Sequence, residues 1–117
     1  DYVDTEWCLR CAAQGIAIKV NPAAIMKHSI GDKSLSFAGF RVPVHSPLRR
    51  YYRVRNAFHL LRMSHVPRLK AIREVLFGLI HQLILIGFET GKRDYLSYYI
   101  KAVRDGIGGV FGPIKIR

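Results

Sequence analysis

Acids crowd the opening of this chain. Asp1, Asp4 and Glu6 come first, Trp7 and Arg10 follow at once, and His28 lies further on. A carboxylate held at a helix start keeps its charged form, because the helix dipole and free backbone N–H groups favour the anion. Such a group is a weak base by itself. It becomes useful when the hydroxyl it faces has been made more acidic. Trp7 adds a flat apolar surface beside the acids. A histidine closing an extended segment is one candidate ligand for a divalent cation. The same residues also admit a plain reading: helix capping, surface charge and a hydrogen-bonded surface histidine.

These residues need elements to position them. Asp4 or Thr5 is the expected cap of a helix running through Glu6, Trp7, Leu9, Arg10 and Ala13 and stopping at Gly15. Ile16 to Val20 alternates and is β-branched, which predicts a short strand; Asn21-Pro22 is a turn signal, and Ala24 to His28 is a second extended segment. Two such strands are not stable without a sheet to join. Residues 29–46 read as a long loop punctuated by glycine and proline, with Asp32 a turn residue.

Ser46-Pro47 is a helix start, with serine as the cap and proline at the first position. The helix it opens runs to about Met63. Tyr51, Val54, Phe58 and Leu61 form its apolar stripe, and Arg49, Arg53 and Asn56 form another. Val66-Pro67 breaks the chain before a third helix, Arg68 to about Phe88, basic at its start and apolar from Val75 onward. That apolar run falls short of the roughly 20 residues that span a bilayer. It suits a packed helix, or one lying in the membrane interface with its basic head among phosphates. A fourth helix is expected from Tyr95 to Arg104, with Leu96, Tyr99, Ile100 and Val103 buried, before a glycine-rich end.

Composition narrows the partners. Half of the 117 residues are apolar, enough for a hydrophobic core, and the formal charge of +11 implies an anionic partner: nucleic acid, anionic lipid or a phosphate-bearing substrate. No acid occurs between Ser34 and Arg73, where arginines cluster. No helix-turn-helix, zinc-finger or RNA-recognition pattern accompanies that charge, so nucleic acid is the least favoured of the three. Cys8 and Cys11 share one helical face and lack two further ligands nearby, so they read as small packing groups in a reducing compartment. The chain opens at Asp1 without a methionine or a leader pattern, inside what reads as a site segment, which leads us to expect a piece of a longer protein.

Two separated stretches, Asp4-Thr5-Glu6-Trp7 with His28 behind it, and Arg49-Arg50-Tyr51-Tyr52-Arg53-Val54-Arg55-Asn56, resemble in residue type, order and spacing the inverting family-two glycosyltransferases of GT-A type. The bacterial rhamnosyltransferase branch is the nearest likeness. The resemblance implies a fold that is mostly α with a short β element. Residues 1–45 would be the C-terminal end of an α/β GT-A catalytic domain, and residues 46–117 a basic helical region. It further implies transfer of rhamnose from a nucleotide-diphosphate sugar to a lipid-linked saccharide. Asp4 would be the base, Glu6 and Trp7 would bind the acceptor sugar, and Arg49, Tyr51, Arg55 and Asn56 would bind substrate. His28 would be a ligand of a divalent cation, Mg2+ or Mn2+. The implied setting is cytoplasmic, peripheral at the inner face of the plasma membrane, with an anionic membrane surface as partner. One departure is clear: the Asp-x-Asp element that supplies the other cation ligands occurs nowhere in this chain. The competing reading is a basic helical module that binds a membrane surface or nucleic acid without catalysis.

Overall fold

The computed structural model describes residues 2–27, 33–37, 39–88 and 91–114. Four helices and one hairpin appear in it: α1 (Val3–Ala13), β1 (Lys33–Phe37), β2 (Phe40–Val44), α2 (Pro47–Leu60), α3 (Arg68–Phe88) and α4 (Lys92–Ile107). The mostly helical character expected from the sequence is present, with a small β element.

Helix α1 stops where Gly15 predicts, with Gln14 as its C-cap and Gly15 at φ 71. Its start differs from expectation. Tyr2, rather than Asp4 or Thr5, occupies the N-cap, in the left-handed region and without a side-chain cap bond. Asp4 and Glu6 therefore fall inside the first turn, where their charge still complements the dipole. Cys8 is exposed and Cys11 buried, so the two do not share an environment as their spacing suggested.

The strands are not where alternation placed them. Residues 16–27 form no strand, and Ile16, Ile18, Val20, Ile25 and Met26 stand open to solvent. A strand pattern needs a partner edge, and none among the described residues lies beside this segment. The β structure sits instead in the stretch expected to be loop. There β1 and β2 pair antiparallel from Lys33↔Val44 to Phe37↔Phe40, around Gly39 at φ 81. Phe40 to Val44 is rich in β-branched and aromatic residues, and the loop signals around it mask that preference.

The helical part follows the sequence closely. The Ser46 hydroxyl accepts a hydrogen bond from the Arg49 backbone N–H, and Pro47 takes the first helical position. Helix α2 is the centre of the bundle, packing against α4 and α3, which also pack on each other. Its inner face is more polar than the expected stripe. Tyr51, Val54, Ala57 and Leu60 are buried, but so are Arg50, Arg55 and His59, while Leu61 is exposed.

Arg50 is wholly buried, and among the described residues no carboxylate partners it. Its Nε donates to Gln82 Oε1 at 2.8 Å and one terminal nitrogen to the Gly78 carbonyl at 3.3 Å. Gln82 in turn donates to the Tyr95 carbonyl at 3.2 Å, so one side chain ties α2, α3 and α4 together. Burial, aided by the nearby Arg53 cation, lowers the Arg50 guanidinium to about 10. It is still charged at neutral pH.

Helix α4 begins earlier and ends later than predicted, and its buried face is Tyr95, Ala102, Asp105 and Gly106, with Leu96 and Ile100 exposed. At Gly106 a Cβ would stand 2.7 Å from Phe58 Cδ2, so only glycine lets α4 approach α2 this closely. The Tyr51 hydroxyl donates to Asp105 Oδ2 at 2.8 Å across the same contact.

Helix α3 has two apolar faces. Ala71, Gly78, Gln82 and Leu85 pack inward, while Leu69, Ile72, Leu76, Ile80 and Leu83 form an open row on the opposite side. With a mean hydropathy of 1.6 over its most apolar 18 residues, it is the one helix among the described residues long and apolar enough to cross a membrane. The apolar part considered alone had looked too short. Its inner face, however, is occupied by Arg50 of α2, a helix that also carries Arg49, Arg53 and Arg55. Spanning would either strip α3 from α2 or draw those cations into hydrocarbon, at several kcal/mol.

Candidate functional site

Glu6, from the first turn of α1, faces the turn between α2 and α3. Its carboxylate lies 2.9 Å from His65 Nε2 and 3.1 Å from Arg10 Nε, which fixes it toward the bundle. Leu9 and Tyr2 pack on the cluster of Leu60, Val66 and Ala71, holding α1 in place. Burial raises the Tyr2 phenol above its ordinary value, with the Arg53 cation opposing and Glu74 adding to the rise. Between these elements lies an open cavity of about 260 Å3, lined by Tyr2, Val3, Glu6, Arg55, Asn56, His59, Leu60, Met63 and Phe111.

The site residues expected from sequence divide into three groups. Glu6, Arg55 and Asn56 come together in this cavity from segments about fifty residues apart. Asp4 and Trp7 lie on the open side of α1, Asp4 exposed and Trp7 50% exposed, and neither lines the cavity. Arg49 is exposed and lines a second, adjoining hollow with Ser46, Leu48, Tyr52 and Asn56. Asn56 is common to both hollows. Tyr51 is placed in the core at 1% exposure with its hydroxyl on Asp105, so in this conformation its surroundings are protein. Burial raises that phenol, and the hydrogen bond to Asp105 adds to the effect. His28 lies outside the described residues.

Arg55 is mostly buried and engaged within the protein. One terminal nitrogen donates to the Gly112 carbonyl at 2.6 Å, and Nε and the other terminal nitrogen donate to Asn56 Oδ1 at 3.0 and 2.9 Å. Its plane lies over the Tyr52 and Tyr51 rings, 4.9 and 5.4 Å from their centroids.

The residues after α4 complete the wall, and sequence reasoning missed them. Arg62 donates to the Gly106 and Ile107 carbonyls at 2.7 and 2.6 Å, and His59 Nε2 donates to the Val110 carbonyl at 3.0 Å. The Ile114 backbone N–H donates to the Tyr52 hydroxyl at 3.0 Å. Tyr52, Arg55, His59 and Arg62 recur every three or four residues, so one stripe of α2 and the turn after it fastens a strap of main chain. Phe111 of this strap stacks on His59 with centroids 4.1 Å apart. Burial lowers the His59 imidazole below its ordinary value; the Val110 carbonyl opposes this, and the Arg55 and Arg62 cations add to it. His59 could have been suspected, standing three residues beyond Asn56 on the same helix. Phe111 gave no local signal, because the fold-back is set by contacts distant in sequence.

Chemically, the arrangement offers an exposed carboxylate on a helix, an aromatic platform beside it, and a half-enclosed hollow with hydrogen-bond acceptors and apolar walls. Among the described residues no group of three or more His, Cys, Asp or Glu side chains is placed to hold a metal ion.

The comparison with known proteins agrees with the motif pattern. The chain is 54% identical over 112 residues to a dTDP-rhamnosyl transferase, RfbF, of Shigella flexneri. The match covers 96% of this chain and 38% of that relative, so the chain spans well under half of the relative's length. No protein-family model and no solved structure matches.

Proposed function

We propose that this chain is the acceptor-side end of a rhamnosyltransferase. It would close an α/β domain of GT-A type and transfer rhamnose with inversion from a nucleotide-diphosphate sugar to a lipid-linked saccharide. The observation that carries the reading is the meeting of Glu6 with Arg55 and Asn56 in one cavity, with Asp4 on the open side of the same helix as Glu6, in a chain so similar to a dTDP-rhamnosyl transferase. In this reading Asp4 accepts the proton of an acceptor hydroxyl. The oxygen attacks the sugar's anomeric carbon from the face opposite the leaving group, and the C–O bond to the nucleoside diphosphate breaks. Trp7 lies against the acceptor's apolar face, and Arg49 faces phosphate, for which a guanidinium fork is suited. A divalent cation, Mg2+ or Mn2+, belongs to the proposal with His28 as one ligand. The described residues gather no metal group, so the other ligands would come from outside them.

In a protein of the relative's full length, Asp4→Asn should reduce turnover by orders of magnitude while donor affinity survives, because only proton removal is lost. His28→Ala in the same protein should shift the metal titration. Near-normal turnover in the first variant, or an unchanged titration in the second, removes that residue from the scheme.

The proposed setting is the cytoplasmic membrane surface. The open row on α3 and the basic start of the same helix favour it, and the polar packing behind α3 favours lying in the interface over crossing.

A further inference from the structure

We propose that the cavity between α1, α2 and the strap holds one neutral sugar unit, with Phe111 as its apolar platform and the Glu6 carboxylate accepting hydrogen bonds from its hydroxyls. The proposal rests on the acceptor-side reading above and adds to it the class of ligand this hollow takes, the part played by the strap and the residue that grips.

The polar atoms around the cavity decide the class. Glu6 brings a carboxylate that His65 and Arg10 already hold and whose further lone pairs still accept, and Asn56 Oδ1 is an acceptor already shared with Arg55. Arg55 is the one arginine in the lining, and its donors point to Gly112 and Asn56. A phosphate brings acceptors and negative charge, so here it would meet a carboxylate with the lining cation already engaged. A sugar brings hydroxyl donors for the carboxylate and a C–H face for the rings. Tyr2, Leu60, Met63 and Phe111 supply apolar wall, and pockets of this mixed kind orient a ligand through a few polar groups set among apolar ones.

Phe111 is 69% exposed although it lies on His59 and borders the cavity. One ring face is therefore covered by imidazole, while much of the side chain stays accessible to a ligand. His59 is a positioning residue here: it supports the ring from beneath and holds the neighbouring Val110 carbonyl. The Arg49 hollow, which meets this one at Asn56, is the place for charge.

The test is ligand-observed NMR on the chain with three probes: methyl α-L-rhamnopyranoside, methyl α-D-glucopyranoside and inorganic phosphate. At least one glycoside should bind and phosphate should not displace it. Phe111→Ala should weaken that glycoside about tenfold, Phe111→Trp should largely restore it, and circular dichroism should be unchanged because the side chain is exposed. His59→Gln should weaken it less than Phe111→Ala. Absence of binding by both glycosides, displacement by phosphate, or equal affinity in Phe111→Ala overturns the proposal. The readout needs no catalysis. Glycoside binding that survives when Asp4→Asn proves harmless to transfer leaves this inference standing without the base assignment. An acceptor KM unmoved by Phe111→Ala in an active full-length enzyme sinks this inference alone.

Discussion

Gln82 is the polar side chain in the core that joins three helices. Its amide oxygen takes a hydrogen bond from Arg50 and its nitrogen serves the Tyr95 carbonyl, so losing it removes the acceptor of the buried Arg50 Nε and a link to α4 together. Hydrogen bonds to charged groups are worth about 1.5–3 kcal/mol, and Gln82→Leu should lower unfolding free energy in urea by that amount. An unchanged midpoint would mean that Arg50 does not depend on this partner. Little of this was legible in sequence. Arg50 reads as one more member of a basic face, and nothing local tells that it turns inward while Arg49 turns out. Glu6 was legible as a candidate, but its direction was not: on α1 it lies away from Asp4 and Trp7, toward His65.

At the scale of elements, Ser46-Pro47 and Val66-Pro67 act locally and located the start of α2 and the span of α3, while α2 stops at Leu60, three residues before the expected Met63. The buried stripes were misjudged where a small or polar residue does the packing. Gly106 shows why. Gly106→Ala should cost about 1–3 kcal/mol in thermal or chemical unfolding, since the new methyl meets the Phe58 ring and α4 must shift; a neutral result would show that the ring yields freely. The hairpin and the failed strands at residues 16–27 illustrate the other limit, that strand pairing is a long-range decision. Helix α3 carries a prediction of its own. If its open row inserts at an interface, co-sedimentation with anionic liposomes should be only partly reversed by high salt, because salt screens the arginines but not apolar burial. Complete release in salt would leave charge alone as the attraction, and absence of binding would retire the membrane setting.

For the whole molecule, acid is the predicted weakness. The folded His59 takes up a proton less readily than the unfolded chain does, so stability is full above the ordinary histidine value and declines as pH falls through it. Asp105 extends the decline. Burial pushes its carboxyl up, but the hydrogen bonds from Tyr51 and Lys101 outweigh burial and hold it below the usual value, giving stability that is lost as the carboxylate protonates. Melting temperature should therefore fall in two stages from neutral pH downward, and His59→Gln should remove the first. A flat profile to about pH 5 in the parent chain would contradict the assignment. The bundle as a whole follows from helical signals that sequence displays plainly, whereas the cavity arises where three distant segments meet.

The strap gives this chain an uneven tolerance to change. Its fastenings from Arg55 and His59 end on the Gly112 and Val110 main-chain carbonyls, which every amino acid possesses, while Arg62 holds the last turn of α4 just before it. Positions along it can therefore drift without the path being lost, provided Gly112 keeps its φ of 82. If the hollow takes the proposed sugar, exchanging the side chain at position 111 would retune what it accepts while the α2 stripe stays fixed, so relatives that bind different sugars would diverge first in the short stretch that follows α4.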